Sequence, residues 1–173
     1  LENLPAKHVD TGMGFERVCA VMKSMESNFK KFPSNYDSDV FMPIIAAISV
    51  LSGKEYKASH SENDVAFRVI ADHIRALSFA IADGATPSNE GRGYVLRRIL
   101  RRAARFGRTL GMHEPFQYKL VEILVGTMSH VFPEIKEHQT HIERVIKSEE
   151  EGFNQTLDRG LEIFEHVVAD MKR

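Results

Sequence analysis

Apolar residues recur at intervals of three and four along almost the whole of this 173-residue chain. That spacing matches the α-helical repeat, whereas a half-buried strand would alternate apolar and polar residues. Glycine or proline stands at the boundaries of the periodic stretches, as it does at helix ends. The pattern predicts a mainly α-helical, bundle-like fold, with only a short strand remnant before the first helix.

The periodicity divides the chain into six helical stretches. The first begins at Phe15, directly after the glycine turn Gly12-Met-Gly14. The other five are predicted over residues 40–51, 62–83, 94–110, 115–128 and 135–173. The last stretch is almost continuously helical by pattern, and Gly152 and Gly160 are where it would bend or break.

The composition excludes several classes of protein. Hydrophobic residues make up 43% of the chain and charged residues 27%, which excludes a wholly disordered chain. No stretch reaches the ~18 uncharged apolar residues of a membrane helix, and no secretory signal opens the sequence. The single cysteine, Cys19, cannot form an internal disulfide or belong to a cysteine zinc cluster. We therefore expect a cytoplasmic protein of one domain or two small ones.

Basic charge is concentrated in one block of the chain. Residues 89–111 carry seven arginines and one acid, although the formal net charge of the whole chain is only −1. Residues 133–173, by contrast, carry ten acids and six bases. Helical spacing places most arginines of the block on one ridge, which comprises Arg97, Arg98, Arg101, Arg102, Arg105 and Arg108.

A ridge of like charges repels itself unless an anionic group faces it. Nucleic-acid phosphate is one partner for such a ridge. The alternative is structural: the acidic C-terminal helix packs beside the ridge, or Asp64, Asp72 and Asp83 pair with some of the arginines. Both interpretations can hold at once, and the residues alone leave them open.

A polar loop, Ser88-Asn89, precedes the arginine block. An asparagine amide both donates and accepts hydrogen bonds, so Asn89 could read the edge of a base. The structural alternative is that Asn89 caps the following helix, which is a common use of asparagine at such a position.

The segment Asp10–Arg17 is the second candidate site. Gly12 and Gly14 would let a ligand approach the backbone closely, and the helix start behind them favours an anion. Arg17 would lie within one turn of that site and could contact a phosphate, and Asp10 could accept hydrogen bonds from an amine. The segment is not a dinucleotide fingerprint, because the third glycine is absent. On the residues alone, a tight turn with a surface arginine is the alternative.

Three further groups of polar residues are interpreted as structural. His138 and His141 have no third ligand at a suitable distance, so they are predicted to be surface histidines. His73 is predicted to be a hydrogen-bonded core histidine. Glu149–Glu151 is predicted to be a solvated helical segment.

Several stretches of the chain resemble the alanyl-tRNA synthetase family, which belongs to the class II aminoacyl-tRNA synthetases. They follow in the family's order and cover residues 8–17, 34–37, 68–76, 81–84, 87–98, 149–153 and 156–160. The resemblance implies that residues 1–28 are the C-terminal edge of the catalytic domain, with the third class II motif. It implies that residues 29–173 are a helical domain that recognises the tRNA acceptor stem and is incomplete at its C-terminal end.

The resemblance also implies substrates and their contacts. Asp10 would bind the amino group of alanine, Arg17 would contact the ATP phosphates, and Gly12 and Gly14 would let the adenosine lie against the backbone. ATP with Mg²⁺ is expected in the parent enzyme, nothing is expected bound to the fragment, and the family's zinc site would lie outside this chain. The first two class II motifs have no counterpart here. We therefore expect an internal fragment of an alanine–tRNA ligase that does not activate alanine by itself, which ATP–pyrophosphate exchange by the pure fragment would refute.

For RNA, the resemblance implies that Asn89 contacts the G·U wobble pair of the tRNA(Ala) acceptor stem. The residues that would line or support the acceptor-stem surface are Arg92, Tyr94, Arg97, Arg98, Arg101, Arg102 and Arg105. Neither DNA nor a membrane is expected as a partner. A stand-alone helical RNA-binding adaptor and a purely structural helical domain are the alternative functions.

Overall fold

The computed structural model describes residues 12–30 and 33–171. These residues form seven α-helices and one short 3₁₀ helix, Asn35–Asp37, and no strand. The helices are α1 Phe15–Met25, α2 Met42–Ser52, α3 Glu62–Ala82, α4 Gly91–Thr109, α5 Lys119–Met128, α6 Pro133–Glu137 and α7 Gln139–Met171. The mainly α-helical prediction is confirmed. The predicted strand remnant lies outside the described residues.

Two predicted helix boundaries differ from the structure. Helix α5 begins at Lys119 rather than at Pro115, and the backbone N–H groups of Phe116 and Gln117 before it donate to a side chain of α7. The predicted stretch 135–173 is divided at His138, where the short α6 ends and α7 begins. The two glycines at 152 and 160 do not interrupt α7.

Helix α3 is the centre of the core. Its N-terminus is capped by Ser61, whose Oγ accepts a hydrogen bond from the Asp64 backbone N–H at 3.2 Å. One face of α3 is fully buried and consists of Ala66, Phe67, Ile70, Ala71, Ile74, Leu77 and Ile81. Helix α4 packs along α3, and α2, α5, α6 and α7 also contact it. Each large apolar side chain buried in this way contributes roughly 1.5–3 kcal/mol to folding.

Helix α1 lies at the edge of this core and is held there by polar contacts. Arg75 Nη2 on α3 donates to Glu16 Oε1 on α1 at 2.8 Å, and Lys23 Nζ donates to the Asp37 carbonyl at 2.7 Å. Ala20 and Ser24 face the core, whereas the opposite side of α1 leaves apolar residues exposed. The start of α1 is therefore fixed against the helical domain at one side.

Helix α7 is long, and only its first half belongs to the core. Ile142, Ile146, Glu150 and Asn154 are its buried residues. Every residue from 158 to 167 is exposed. None of the described helices is both long enough and apolar enough to cross a membrane.

Candidate nucleic-acid interface

Helix α4 presents its arginines on two different faces. Each helical residue is rotated by about 100° from the one before it, so Leu96, Leu100 and Ala103 form the face buried against the core. We name two arginine sets by their position relative to this face. The outer stripe, on the opposite side from the core, comprises Arg98, Arg102 and Arg105; the inner stripe, towards α7, comprises Arg97, Arg101 and Arg108.

The inner stripe is paired with acids of α7. Arg97 Nη2 donates to Glu149 Oε2 at 2.9 Å, and its Nε lies 2.8 Å from Oε1 as an ion contact. Arg101 Nη2 lies 3.3 Å from the same Oε1, and Arg108 Nη1 lies 2.8 Å from Asp158 Oδ1. The interpretation that the acidic C-terminal helix packs beside the arginines is confirmed for these three.

The predicted pairing of the arginines with Asp64, Asp72 or Asp83 is wrong within the described residues. Asp64 is fully buried and accepts hydrogen bonds from the Lys57 and Ser59 backbone N–H groups. Asp72 Oδ2 instead faces His73 Nδ1 at 3.2 Å. That contact lowers the pKa of Asp72 and agrees with the predicted hydrogen bond of His73.

The outer stripe has no acidic partner. Arg98, Arg102 and Arg105 are all exposed, as is Arg92 at the start of α4. Across residues 12–30 and 33–171, none of these four guanidinium groups lies within ion-pair distance of a carboxylate. Arg98 instead lies over the exposed ring of Tyr94, 5.7 Å from its centroid. The outer face of α4 is therefore a positive surface open to a polyanion.

Asn89 lies beside the inner stripe and does not cap the helix. The N-cap of α4 is Glu90, and no side chain caps this helix end. The Asn89 Oδ1 atom accepts a hydrogen bond from Arg97 Nη1. The capping interpretation of Asn89 is therefore wrong, and base reading stays a prediction.

Gly93 brings the Asn89 loop close to α4, which sequence reasoning missed. A Cβ atom at this position would lie 2.4 Å from the Thr86 carbonyl oxygen and 2.2 Å from Ser88 Oγ. Because only glycine permits this approach, the loop rests directly on the first turn of the helix. Ser88 Oγ also donates to the Glu90 carbonyl at 2.9 Å, which closes the loop on itself. The sequence signal was the second glycine of Gly91-Arg-Gly93, directly before the predicted helix at 94–110.

The acidic run at 149–151 is not a solvated segment, and that prediction is wrong for two of its three residues. Glu149 is 15% exposed and joins Arg97 to Arg101. Glu150 is fully buried, and its Oε2 accepts from the Phe116 and Gln117 backbone N–H groups at 3.2 and 3.0 Å. Burial raises the pKa of Glu150 to about 7. The sequence signal was its spacing, since Glu150 continues the buried positions of the α7 face at intervals of four.

The glycine turn before α1 forms a second cationic site. Gly12, Gly14 and Arg17 are exposed, and the Gly14 N-cap supplies no side-chain hydrogen bond to the helix start. The Arg17 guanidinium has no hydrogen-bond or ion-pair partner in the described part of the chain. Asp10, the fourth predicted residue of this site, lies outside the described residues.

A shallow depression of about 330 Å³ adjoins this turn and is lined by Gly14, Glu16, Arg17, Asn35, Tyr36, Phe41 and Asp72. A hydrogen bond from its own backbone N–H and one from the Arg75 guanidinium lower the pKa of Glu16. Among the described residues, no three His, Cys, Asp or Glu side chains gather to hold a metal ion. The depression thus combines a helix N-terminus with a free guanidinium, which are the usual donors to phosphate.

The fold and these two surfaces define a helical domain with two exposed cationic sites. The whole chain, residues 1–173, matches the family model of tRNA synthetases class II (A), and the chain belongs to this family.

Individual proteins that are similar to this chain in sequence give a more specific comparison than the family model. The chain is 60% identical over 170 residues to the alanine–tRNA ligase of Chlorobaculum tepidum, which covers 98% of this chain and 18% of that protein. It is 56% identical over 173 residues to the alanine–tRNA ligase of Chlorobium phaeobacteroides, covering 99% of this chain and 19% of the relative. The alanine–tRNA ligase of Staphylococcus aureus is 53% identical over 169 residues, again 98% of this chain and 18% of the relative. The chain therefore spans less than a fifth of the length of these relatives.

Proposed function

We propose that this chain is the part of an alanine–tRNA ligase that binds the acceptor stem of tRNA(Ala) and adds the third class II motif to the ATP and alanine site. Residues 1–28 would form the edge of the catalytic domain, and residues 29–173 the helical RNA-binding domain. The parent enzyme would join alanine to the ATP α-phosphate with release of pyrophosphate, and then transfer the alanyl group to the tRNA terminal hydroxyl with release of AMP.

The observation that carries the RNA-binding role is the outer stripe of α4. Arg98, Arg102 and Arg105 stand on the solvent side of one helix without acidic partners, while α7 neutralises the inner stripe. A protein that needed no polyanion would gain from pairing these charges or spacing them apart. The purely structural alternative is therefore weaker, because the acidic helix covers only one side of the arginine block.

The arginines are not equivalent in this proposal. Arg92 and the outer stripe are the phosphate contacts, and Tyr94 supports Arg98 through its ring. Arg97 and Arg101 are held by Glu149 and contribute to RNA binding through the fold. Asn89 stands at the end of this surface and is the proposed reader of the G·U pair.

The motif 3 turn would contribute to nucleotide binding through Arg17 and the uncapped start of α1. These groups fit a phosphate chain, because they supply hydrogen-bond donors and positive charge. The described residues offer no carboxylate cluster for Mg²⁺.

Binding of the 173-residue chain to an acceptor-stem RNA hairpin tests this function. If the outer stripe contacts phosphates, the logarithm of the affinity falls with the logarithm of the salt concentration, with a slope of roughly −0.7 to −0.9 per neutralised phosphate. Replacing Arg98, Arg102 and Arg105 together by Ala is expected to remove about two units of that slope. Arg108→Ala is the matched control on the same helix, because Arg108 is already paired with Asp158.

A salt-independent affinity of the unaltered chain would contradict the proposal. The proposal would also be contradicted if the salt slope of the affinity fell by the same amount per arginine in the outer-stripe variant and in the Arg108→Ala control.

A further inference from the structure

We propose that Arg97 and Glu149 are positioning residues for Asn89, which they hold with its amide N–H groups outward, towards a hydrogen-bond acceptor on the RNA. This inference rests on the proposed function and assigns to Arg97 a role other than phosphate contact. It concerns three side chains from the 86–89 loop, α4 and α7.

Glu149 fixes the plane of the Arg97 guanidinium. Glu149 Oε2 accepts a hydrogen bond from Nη2 at 2.9 Å, and Glu149 Oε1 lies 2.8 Å from Nε as an ion contact, so the carboxylate lies along the Nε and Nη2 side of the guanidinium. The side chains of Arg97 and Glu149 are only 21% and 15% exposed. Because one side of the guanidinium is occupied by Glu149, Nη1 is left to point elsewhere.

Arg97 Nη1 donates to Asn89 Oδ1. A guanidinium only donates hydrogen bonds, so it must face the carbonyl end of the amide rather than the NH₂ end. The Asn89 amide is therefore oriented by chemistry, with Nδ2 on the far side from Arg97. In the described part of the chain Nδ2 has no hydrogen-bond partner, and Asn89 is exposed.

The backbone of the loop is held independently of Arg97. Gly93 allows Thr86 and Ser88 to lie directly against α4, and Ser88 Oγ donates to the Glu90 carbonyl. The loop thus sets where Asn89 stands, while Arg97 sets which end of its amide faces outward. A fixed amide that presents only donors selects a base edge with an acceptor and disfavours one with an amino group.

The G·U pair and its G·C replacement differ in this respect. Uracil carries a carbonyl oxygen, O4, where cytosine carries the N4 amino group. A donor-only Asn89 placed at that edge favours uracil, and the same amide turned round would favour cytosine. Orientation by Arg97 therefore bears on specificity rather than on total affinity.

The test compares affinities of the 173-residue chain for G·U and G·C acceptor-stem hairpins at about 50 and 200 mM salt. The unaltered chain is expected to prefer the G·U hairpin by roughly 5–100-fold. Arg97→Met is expected to bring this preference close to one and to leave the salt slope unchanged. Arg105→Met, the matched control, is expected to lower the slope by roughly 0.7–0.9 and to leave the preference unchanged.

Asn89→Asp provides a second test that does not depend on removing Arg97. This change keeps the oxygen that accepts from Arg97 and replaces the outward NH₂ by a second acceptor oxygen. Because the residue is exposed and the replacement is nearly isosteric, the fold is expected to stay intact. The preference is expected to shift towards the G·C hairpin, whose amino group can then donate.

Three results would overturn the inference. The first is that Arg97→Met lowers the salt slope of the affinity while the preference for the G·U hairpin is retained. Another is Asn89→Asp retaining the original preference. The third is salt-dependent binding by the unaltered chain without any preference, which leaves the proposed RNA-binding function standing. No binding at all at low salt overturns the proposed function and this inference together.

Discussion

Glu150 is a fully buried carboxylic acid that lies against the turn before α5. Its Oε2 accepts two backbone hydrogen bonds, but its Oε1 has no partner within the described residues. Burial penalises the ionised form and raises the pKa of Glu150 to about 7. The proton on this residue is therefore a part of the folded structure below neutral pH.

This raised pKa predicts a specific pH dependence of stability. Below the ordinary glutamate pKa of 4.5, both the folded and the unfolded states hold the proton on Glu150, and the contribution of this residue to stability is greatest. As the pH rises towards about 7, only the unfolded state loses its proton, so the free energy of unfolding falls by an amount on the order of 3 kcal/mol. Glu150→Gln is expected to match the unaltered chain near pH 4.5 and to be more stable near pH 8.

Urea unfolding of both proteins across this pH range measures the difference. Glu151→Gln is the matched control, since Glu151 is exposed at the next position of the same helix. Parallel stability curves for the unaltered chain and Glu150→Gln would show that the pKa of Glu150 is the same in the folded and the unfolded chain, and would contradict the prediction.

Two glycines in helices are expected to respond to alanine in opposite directions. A Cβ at Gly107 would lie 2.3 Å from Cε1 of the buried Phe116 ring. Gly107→Ala is therefore expected to lower the free energy of unfolding by roughly 1–3 kcal/mol through overpacking. A Cβ at Gly152 in α7 would have no atom within 4 Å. Gly152→Ala is therefore expected to raise the free energy of unfolding by roughly 0.5–1 kcal/mol. Thermal or urea unfolding of the two variants measures both signs, and equal signs would contradict this packing argument.

At the scale of elements, α4 serves two surfaces at once. Three residues of its inner stripe tie it to α7, and three residues of its outer stripe face solvent. Helical periodicity in the sequence predicted that the arginines lie on one helix. It could not predict which of them pair with α7 and which face solvent. The division depends on the side of α4 where α7 packs, and that is set by the buried apolar faces of both helices.

Helix α7 also has two parts with different roles. Its buried residues end at Asn154, whose Nδ2 donates to the His113 carbonyl at 3.3 Å, and its ion pair with α4 ends at Asp158. Beyond that point the helix exposes five large apolar residues, which are Leu161, Ile163, Phe164, Val167 and Met171. This second part contributes little to the core of the described structure.

A chain shortened to end at Gly160 is expected to unfold within about 3 °C of the 173-residue chain, because no core contact is lost. It is also expected to self-associate less, since the exposed apolar residues are removed. Calorimetry and light scattering measure the two effects. A chain ending at Gly152 is the control and is expected to be clearly less stable, because Asn154 and Asp158 are lost. A large fall in unfolding temperature for the longer truncation would mean that residues 161–171 pack on the core.

At the scale of the whole molecule, the nearly neutral net charge conceals an ordered separation of charge. The acids of α7 neutralise one side of the arginine block, and the other side is left positive. The glycine turn before α1 places a further unpaired arginine, Arg17, at the edge of the same domain. The proposed RNA and nucleotide sites thus lie on one helical scaffold, with α1 tied to α3 by Arg75 and Glu16.

The sequence alone determined the helical class, the order of the helices and the location of both cationic segments. It could do so because helical periodicity, glycine and proline boundaries and the clustering of arginines are local properties of the chain. It also contained the stretches that predicted a class II synthetase, which the family comparison confirmed.

Only the tertiary structure decided which polar residues are free and which are bound. Asn89 looks like a helix cap in sequence, but it accepts from Arg97, whose plane is set by Glu149 from a helix 52 residues away in the chain. Glu149 and Glu150 look solvated in sequence, but packing of α7 against α4 and the turn before α5 buries them. The partner of a charged side chain is chosen by residues distant in sequence, so local patterns carry no information about it until the helices are packed.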